Sequence, residues 1–481
     1  MKVFWKYFLI VILLLIGLFA LCILYLFFVP GSSLFGITYI SYHDNYYSQS
    51  YDSNSISRIE ISSRSYDFEI VPADSENISV RVYANSLGFV LNRNSDINID
   101  ANVDSGVLTF NIDEPYGAAI ANDSLIQLRI PTSKSFDIVL NNRSAQSSIN
   151  NENLQINNLI YNTTSGNFSF NSGSILGYID ASIGRGDFII GSNVLTNTNN
   201  VTLSATSGYF EALNSVLGNF EIESNNNAVI LLKECHNFIE DIDEAGGRIE
   251  IDTVFYLDLN SSDTNVYINN LTNGSNVILT RSGTVEIQNN LATSDITTNT
   301  GNIVISESTG PLILTSGDGN ITVNSTFSRV TASSTYGDIN VIFNSDAESY
   351  LNNRNSRTLQ ATTNNGKITA SGVENVYITI KDNGRAEISM QNVYGENVVN
   401  GRSGSVSLLI NRYAEYRLHT KTDSGDVSVN LMQISGTGTG GYTDKERTEY
   451  INCDEYSFTA TLEVTTTTGN LHIRDEELIE F

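Results

Sequence analysis

An all-β fold, a parallel β-solenoid (β-helix) of about 18–20-residue coils behind one N-terminal transmembrane helix, is predicted by three features of the sequence. Glycines recur at near-constant spacing: Gly301, Gly319 and Gly337 lie 18 residues apart, each followed two and four residues later by an apolar, mostly β-branched side chain. The composition is 41% hydrophobic and 16% charged, with 5 prolines, one tryptophan and a heavy load of Asn, Ser and Thr. That is too apolar for disorder and too poor in Ala, Leu, Glu and Lys for a mostly helical chain. Finally, residues 7–29 carry no charge at all.

That first apolar stretch, "YFLIVILLLIGLFALCILYLFFV", covers about 34 Å as a helix, enough for a hydrocarbon core of roughly 30 Å. It exceeds the apolar core of a signal peptide, no A-x-A site follows, and Leu21 before Cys22 makes a poor lipoprotein site. An uncleaved single-pass anchor is expected. Lys2 and Lys6 precede it and the next basic residue is Arg58, so the positive-inside bias puts the N-terminus in the cytoplasm and the bulk of the chain outside. Residues 1–30 are thus a cytoplasmic stub and anchor, with the lipid bilayer as partner through residues 7–29. Residues 31–55, polar and Tyr-rich without apolar periodicity, read as a spacer.

Residues 56–160 hold alternating strands of irregular spacing, "RIEIS", "DFEIV" and "ISVRV" among them. They are expected to cap the membrane-proximal end, because an uncapped coil exposes an aggregation-prone edge.

From 161 to 481 the coils become regular. Corner glycines are expected at Gly166, Gly186, Gly208, Gly247, Gly283, Gly301, Gly319, Gly337, Gly366, Gly384, Gly404, Gly425 and Gly469. Between Gly208 and Gly247, Asn227 with Val229 and Leu231 fills one missing beat, and Thr264 with Val266 and Ile268 fills another before Gly283. In "GDINVIF" Ile339 and Val341 point one way while Asp338 and Asn340 point the other, the alternation of a half-buried strand. A second alternating segment follows in many coils, as at Leu312 and Leu314, so two strands per coil stack into parallel sheets. Glycine allows a corner that a Cβ would oppose, and the neighbouring Asn or Asp tolerates left-handed geometry or caps the turn. Equivalent corners must superpose about 4.8 Å apart, so their spacing cannot drift freely.

Two steps break the period, 29 residues from Gly337 to Gly366 and 44 from Gly425 to Gly469. Loop insertions are expected near 344–358 and 433–456, and loops on a rigid scaffold often carry function. The tail "RDEELIEF" could shield the far end. Three cysteines are too few for a disulfide framework. A bridge between Cys235 and Cys453 and two buried thiols both stay open.

The run "RIEISSRSYDFEIVPADSENISVRV", then "LIQLRIP", then serial "SGDV" and "TGNI" turns resemble a bacterial family of adhesin-like proteins, that of the domain of unknown function 4097. The resemblance covers roughly residues 56 to 474. It implies a surface-exposed β-solenoid, suggests adhesion, and brings no catalytic residues with it. This chain departs in having many coils and two large insertions.

A net charge of −27 with no cluster of Lys and Arg argues against nucleic acid as a partner. A β-helix enzyme acting on acidic polysaccharides is the rival reading, yet His43, His236, His419 and His472 fall in unrelated contexts and no nucleophile or metalloprotease motif is present. Asp96, Asn98 and Asp100, and the "EDIDE" cluster of Glu240, Asp241, Asp243 and Glu244, are acidic without a calcium-loop spacing. The "RGD" at Arg185, Gly186 and Asp187 shares its Gly-Asp with the corners at Gly337 and Gly425. The sequons at Asn77, Asn162 and Asn320 follow from composition. No cofactor, metal or catalytic residue is expected. The reading is a membrane-anchored, extracytoplasmic, non-catalytic interaction or scaffolding protein. Its partner would be an envelope or host-surface polymer or protein, and the alternative is a passive spacer of the envelope.

Overall fold

The computed structural model describes residues 2–28, 33–34, 37–42, 45–84, 86–90, 97–113, 117–191, 194, 199–213, 216–344, 357–434, 438–453 and 457–476. The chain divides into two compact units, Met1–Leu217 and Gly218–Phe481.

The first unit opens with one helix, Lys2–Phe28. Its Trp5–Cys22 window has a mean hydropathy of 2.4 and buries nothing against protein, so it is long and apolar enough to cross a membrane. The next segment is not a plain spacer. Strand Ile37–Tyr42 pairs antiparallel with Ser86–Val90, and Asn45–Tyr51 pairs antiparallel with Ile78–Tyr83. Pairing draws on backbone groups, so a Tyr-rich stretch with no amphipathic pattern can still serve as a strand.

Parallel stacking begins well before residue 161. Phe136–Ser144 lies parallel on Arg58–Ser62, and Ser147 to Ile149 lie parallel on Phe68 to Ile70. Strands Tyr178–Ile190 and Asn199–Leu213 then stay in register from Tyr178↔Asn200 to Ile190↔Ala212. The irregular spacing of residues 56–160 comes from antiparallel strands interleaved in sequence with the coils. Asn98–Asp104 runs antiparallel to Val107–Asp113, and Ile78–Tyr83 antiparallel to Leu125–Ile130. Inside, equivalent positions carry aromatic rings. Phe168 stacks on Phe188 at 4.9 Å between centroids, and Phe188 on Phe210 at 5.8 Å.

In the second unit each coil contributes one strand to each of two parallel sheets. Thr293–Thr298, Leu312–Ser316 and Val330–Ser334 stack in one. Val285–Asn290, Ile303–Ser308, Ile321–Thr326 and Ile339–Phe343 stack in the other. Alternation sends Val285, Ile303, Ile321 and Ile339 inward as one fully buried column, faced by Ile296, Leu314 and Ala332. Among the filler beats, Val266 and Ile268 are buried as expected, but the earlier one is out of phase. Ile230 is buried while Val229 and Leu231 are half-buried. The run "AVILL" is apolar at every position, so alternation could not fix which side faces in.

Up to Val406–Asn411 the coils stack in sequence order, and there the order changes. Glu396–Gly401 pairs with Thr461–Thr466, which in turn pairs with Tyr416–Thr422. In the other sheet Val406–Asn411 pairs with Leu471–Glu476, which pairs with Val427–Ile434. The coil of residues 461–476 therefore sits between two coils that precede it in the chain.

The expected loop at 433–456 is instead partly strand. Gly438–Tyr442 pairs antiparallel with Val427–Ile434, and Glu446–Ile451 antiparallel with Tyr416–Thr422. These strands lie beyond the last coil, so they do the covering expected of the tail "RDEELIEF". Residues 474–476 of that tail belong to the inner strand Leu471–Glu476, and residues 477–481 lie outside the described residues, as do 345–356 of the other insertion.

Candidate interaction face

The corners at Gly301, Gly319 and Gly337 are each built by three residues. A Cβ on Gly301 would overlap the carbonyl oxygen of Gly283; one on Gly319 would overlap that of Gly301, and one on Gly337 that of Gly319. None of these three has a left-handed φ, although Gly283 does at +122°. In this column glycine is needed because the coil below comes too close for a side chain. The same close approach recurs from Gly166 to Gly186 and Gly208, at Gly366, Gly384 and Gly404, and then through Gly469 to Gly425. Gly247 has φ +121° and pairs with Thr264.

Three residues ahead of the glycine stands a buried hydroxyl. Ser316 Oγ accepts the Gly319 N–H at 2.9 Å and donates to the Gly301 carbonyl at 3.1 Å, tying one corner to the previous one. The residue after the glycine acts between coils too. Asn302 Oδ1 accepts the Asn320 N–H, Asn320 Oδ1 that of Asp338, and Asp338 Oδ1 that of Lys367, each at 2.8 Å. Expected to cap its own turn, this side chain caps the next coil instead. The Asn or Asp that follows Gly166, Gly186, Gly301, Gly319, Gly337, Gly425 and Gly469 was the available signal.

A second feature had no sequence signal. At the return of the first insertion Arg357 is buried, 3.9 Å from the equally buried Glu374, and donates to Gln391 Oε1 at 2.8 Å. These partners come from three coils and cannot be read from spacing.

The outward positions of one sheet form the best candidate for contact with another molecule. Across the six coils from 293 to 401, one rank holds Asp295, Ile313, Thr331, Gln360, Tyr377 and Val398. The parallel rank holds Thr297, Thr315, Ser333, Thr362, Thr379 and Asn400. Only Asp295 is charged among these twelve, in a chain of net charge −27. Ile313 and Tyr377 are 43% and 42% exposed, so the strip mixes apolar area with evenly spaced hydroxyl and amide groups. Arg329 overlooks it, donating to Gln360 Oε1 at 2.9 Å. The other sheet presents Glu286, Lys367, Arg385 and Glu387, with Lys367 and Glu387 paired at 2.5 Å.

The remaining sequence candidates do not converge. His419 and His472 lie in different sheets, and His419 Nδ1 is 3.0 Å from Thr448 Oγ1. Asn98 and Asp100 are exposed on one strand, and no group of three metal-ligating side chains occurs among the described residues. His43, Asp96 and the side chains of Cys235, His236, Glu240, Asp241, Asp243 and Glu244 lie outside the described ones. The Cys453 thiol donates to the Tyr416 carbonyl at 3.6 Å. Arg185, Gly186 and Asp187 are paired on both sides within a strand, not carried at a loop tip. The amides of Asn162 and Asn320 are engaged in inter-coil bonds, while Asn77 is exposed.

The chain matches the model of the Toastrack domain, the domain of unknown function 4097, over residues 56–235 and 239–371. The chain belongs to the Toastrack family. Two solved structures align with it. One, described as a "putative cell adhesion protein" from Clostridium sporogenes, is 7% identical, with a TM-score of 0.15, over 89% of this chain and 98% of that one. The other, a "putative adhesin" from Parabacteroides distasonis, is 12% identical, with a TM-score of 0.16, over 72% and 96%. No curated protein matches the chain.

Proposed function

We propose that this Toastrack protein is a membrane-anchored, extracytoplasmic scaffold that acts as a non-catalytic, adhesin-like surface protein. The anchor is the helix Lys2–Phe28, with the N-terminus inside and the coils outside. The observation that carries the reading is the strip of twelve outward positions, neutral but for Asp295 and held by corners that fix each coil on the next. A nearly uncharged array of hydroxyl and amide groups around Tyr377 suits an extended neutral polymer of the envelope or of another cell. Such a polymer can repeat the same weak contact along the stack and gain by multivalency.

The test is binding of the full chain, held in detergent, to an array of envelope and host-surface glycans. Retention of neutral polymers that falls with Tyr377→Ala and Ile313→Asp is the expected result. Retention unaffected by both substitutions removes the strip from the account, and no retention of any polymer leaves the passive-spacer alternative. Release of reducing ends from a polymer would turn the assignment to the enzyme reading. Protease shaving of intact cells tests the orientation, with cleavage of the coils from outside expected.

A further inference from the structure

The coil of residues 461–476 is an insert. Between Val406–Asn411 and Tyr416–Thr422 the chain climbs two coil levels in a few residues, and the level left open is filled later by Thr461–Thr466 and Leu471–Glu476. Without that pair, four parallel ladders would end in unpaired N–H and C=O groups, and Val399, Leu408, Leu418 and Val429 would lose their neighbours on one side. Such edges bind a strand strongly.

The slot is selective as well as open. A residue other than glycine at 469 would collide with the Gly404 carbonyl, and Gly425 in turn lies against the Gly469 carbonyl. Thr466 Oγ1 donates to the Gly469 carbonyl at 2.6 Å and lies 3.0 Å from Thr422 Oγ1 of the coil above. Asn470 Oδ1 accepts the Asp426 N–H at 2.9 Å, and Asn397 Nδ2 donates to the Thr461 carbonyl at 3.2 Å. Leu462, Val464, Leu471 and Ile473 fill the interior. An unrelated strand lacks this Thr-x-x-Gly-Asn corner between two apolar alternations, whereas another copy of the chain carries it in register.

We propose that the slot between strands 396–411 and strands 416–434 is a strand-pair acceptor that the segment 461–476 of a second copy can occupy, linking copies on the membrane by strand exchange. Nothing in the slot distinguishes its own segment from a neighbour's. The antiparallel strands Gly438–Tyr442 and Glu446–Ile451 pair with strands 427–434 and 416–422, which rest on the donor, so they keep their support only when a second copy's segment fills the slot. Exchange replaces each ladder bond by an identical one, which leaves local concentration to set the balance.

Ser407 and His472 are Cα partners facing outward in this arrangement. Full chains with Cys22, Cys235 and Cys453 changed to serine are prepared in two forms, one with Ser407→Cys and one with His472→Cys, then mixed in detergent and oxidised. The expected result is a disulfide-linked dimer of one chain of each kind, lost when excess synthetic peptide of residues 457–476 competes or when the donor also carries Gly469→Val. A chain bearing both cysteines that closes its internal bridge, alongside a mixture that gives no dimer above the peptide-competed level, overturns the exchange. A mixed dimer insensitive to peptide overturns the slot as its site. Failure of the internal bridge in the doubly substituted chain overturns the inserted order itself.

Discussion

The coils between 283 and 343 and those between 396 and 476 use the same corner but different neighbours. In the first stretch Gly283, Gly301, Gly319 and Gly337 follow one another in space as they do in the chain. In the second the spatial order is Gly404, Gly469, Gly425. The glycine is common to all of these corners, while the hydroxyl three residues before it and the Asn or Asp after it recur at Gly301, Gly319, Gly337, Gly425 and Gly469 but not at Gly404, and such a coil stacks on any similar coil. Such corners specify the shape of a level without specifying which level comes next. Glycine spacing does not decide that either: the chain climbs two levels at the ordinary 21-residue step from Gly404 to Gly425, and only the 44-residue step from Gly425 to Gly469 brings it back to fill the level between.

The largest effect should come from attacking the inserted coil. Leu462→Asp puts a carboxylate into a fully buried site and should cost about 4 kcal/mol. Because the coil of residues 416–434 rests on the insert, hydrogen exchange should rise across 416–451 as well as 461–476, while 283–343 stays protected. Uniform loss of protection along the unit would mean that the two stretches form one cooperative block.

Next comes Gly301→Val, expected to lower stability by about 3 kcal/mol because its side chain meets backbone that cannot move aside. Gly425→Val, in a coil with no further parallel coil beyond it, should cost roughly half as much. Urea unfolding of both variants sharpens the contrast, and equal losses would remove it. Asn320→Ala takes one inter-coil acceptor from the Asp338 N–H and should cost about 1 kcal/mol. The smallest expected change is Thr315→Val on the outward strip, under about 0.5 kcal/mol in stability, with weaker retention of neutral polymer as its readout.

The sequence made the individual coil legible and left the assembly partly hidden. Period, alternation and the corner glycines pointed to two parallel sheets, because each is a local consequence of backbone geometry. The reason for the glycine was less visible, since at Gly301 the obstacle is a carbonyl 18 residues earlier and not the residue's own φ. The strands at 37–51 were missed because pairing there follows backbone groups without an amphipathic signature. The inserted order was missed because residues 433–456, read as a loop, carry strands beyond the last coil. The neutral strip became visible only with register, which brings Thr315 beside Ser333 and Thr362 across 47 residues of chain.

The central claim, that equivalent corners stack in register and that the last coil in sequence is not the last in space, has a direct test in three cysteine pairs on a cysteine-free background of the full chain. The pairs Ser407→Cys with His472→Cys and His472→Cys with Ser428→Cys should each close an internal disulfide on oxidation, since each joins Cα partners of adjacent strands. The pair Ser407→Cys with Ser428→Cys should not close, with a whole coil between. A bridge from 407 to 428, together with none to 472, would contradict it.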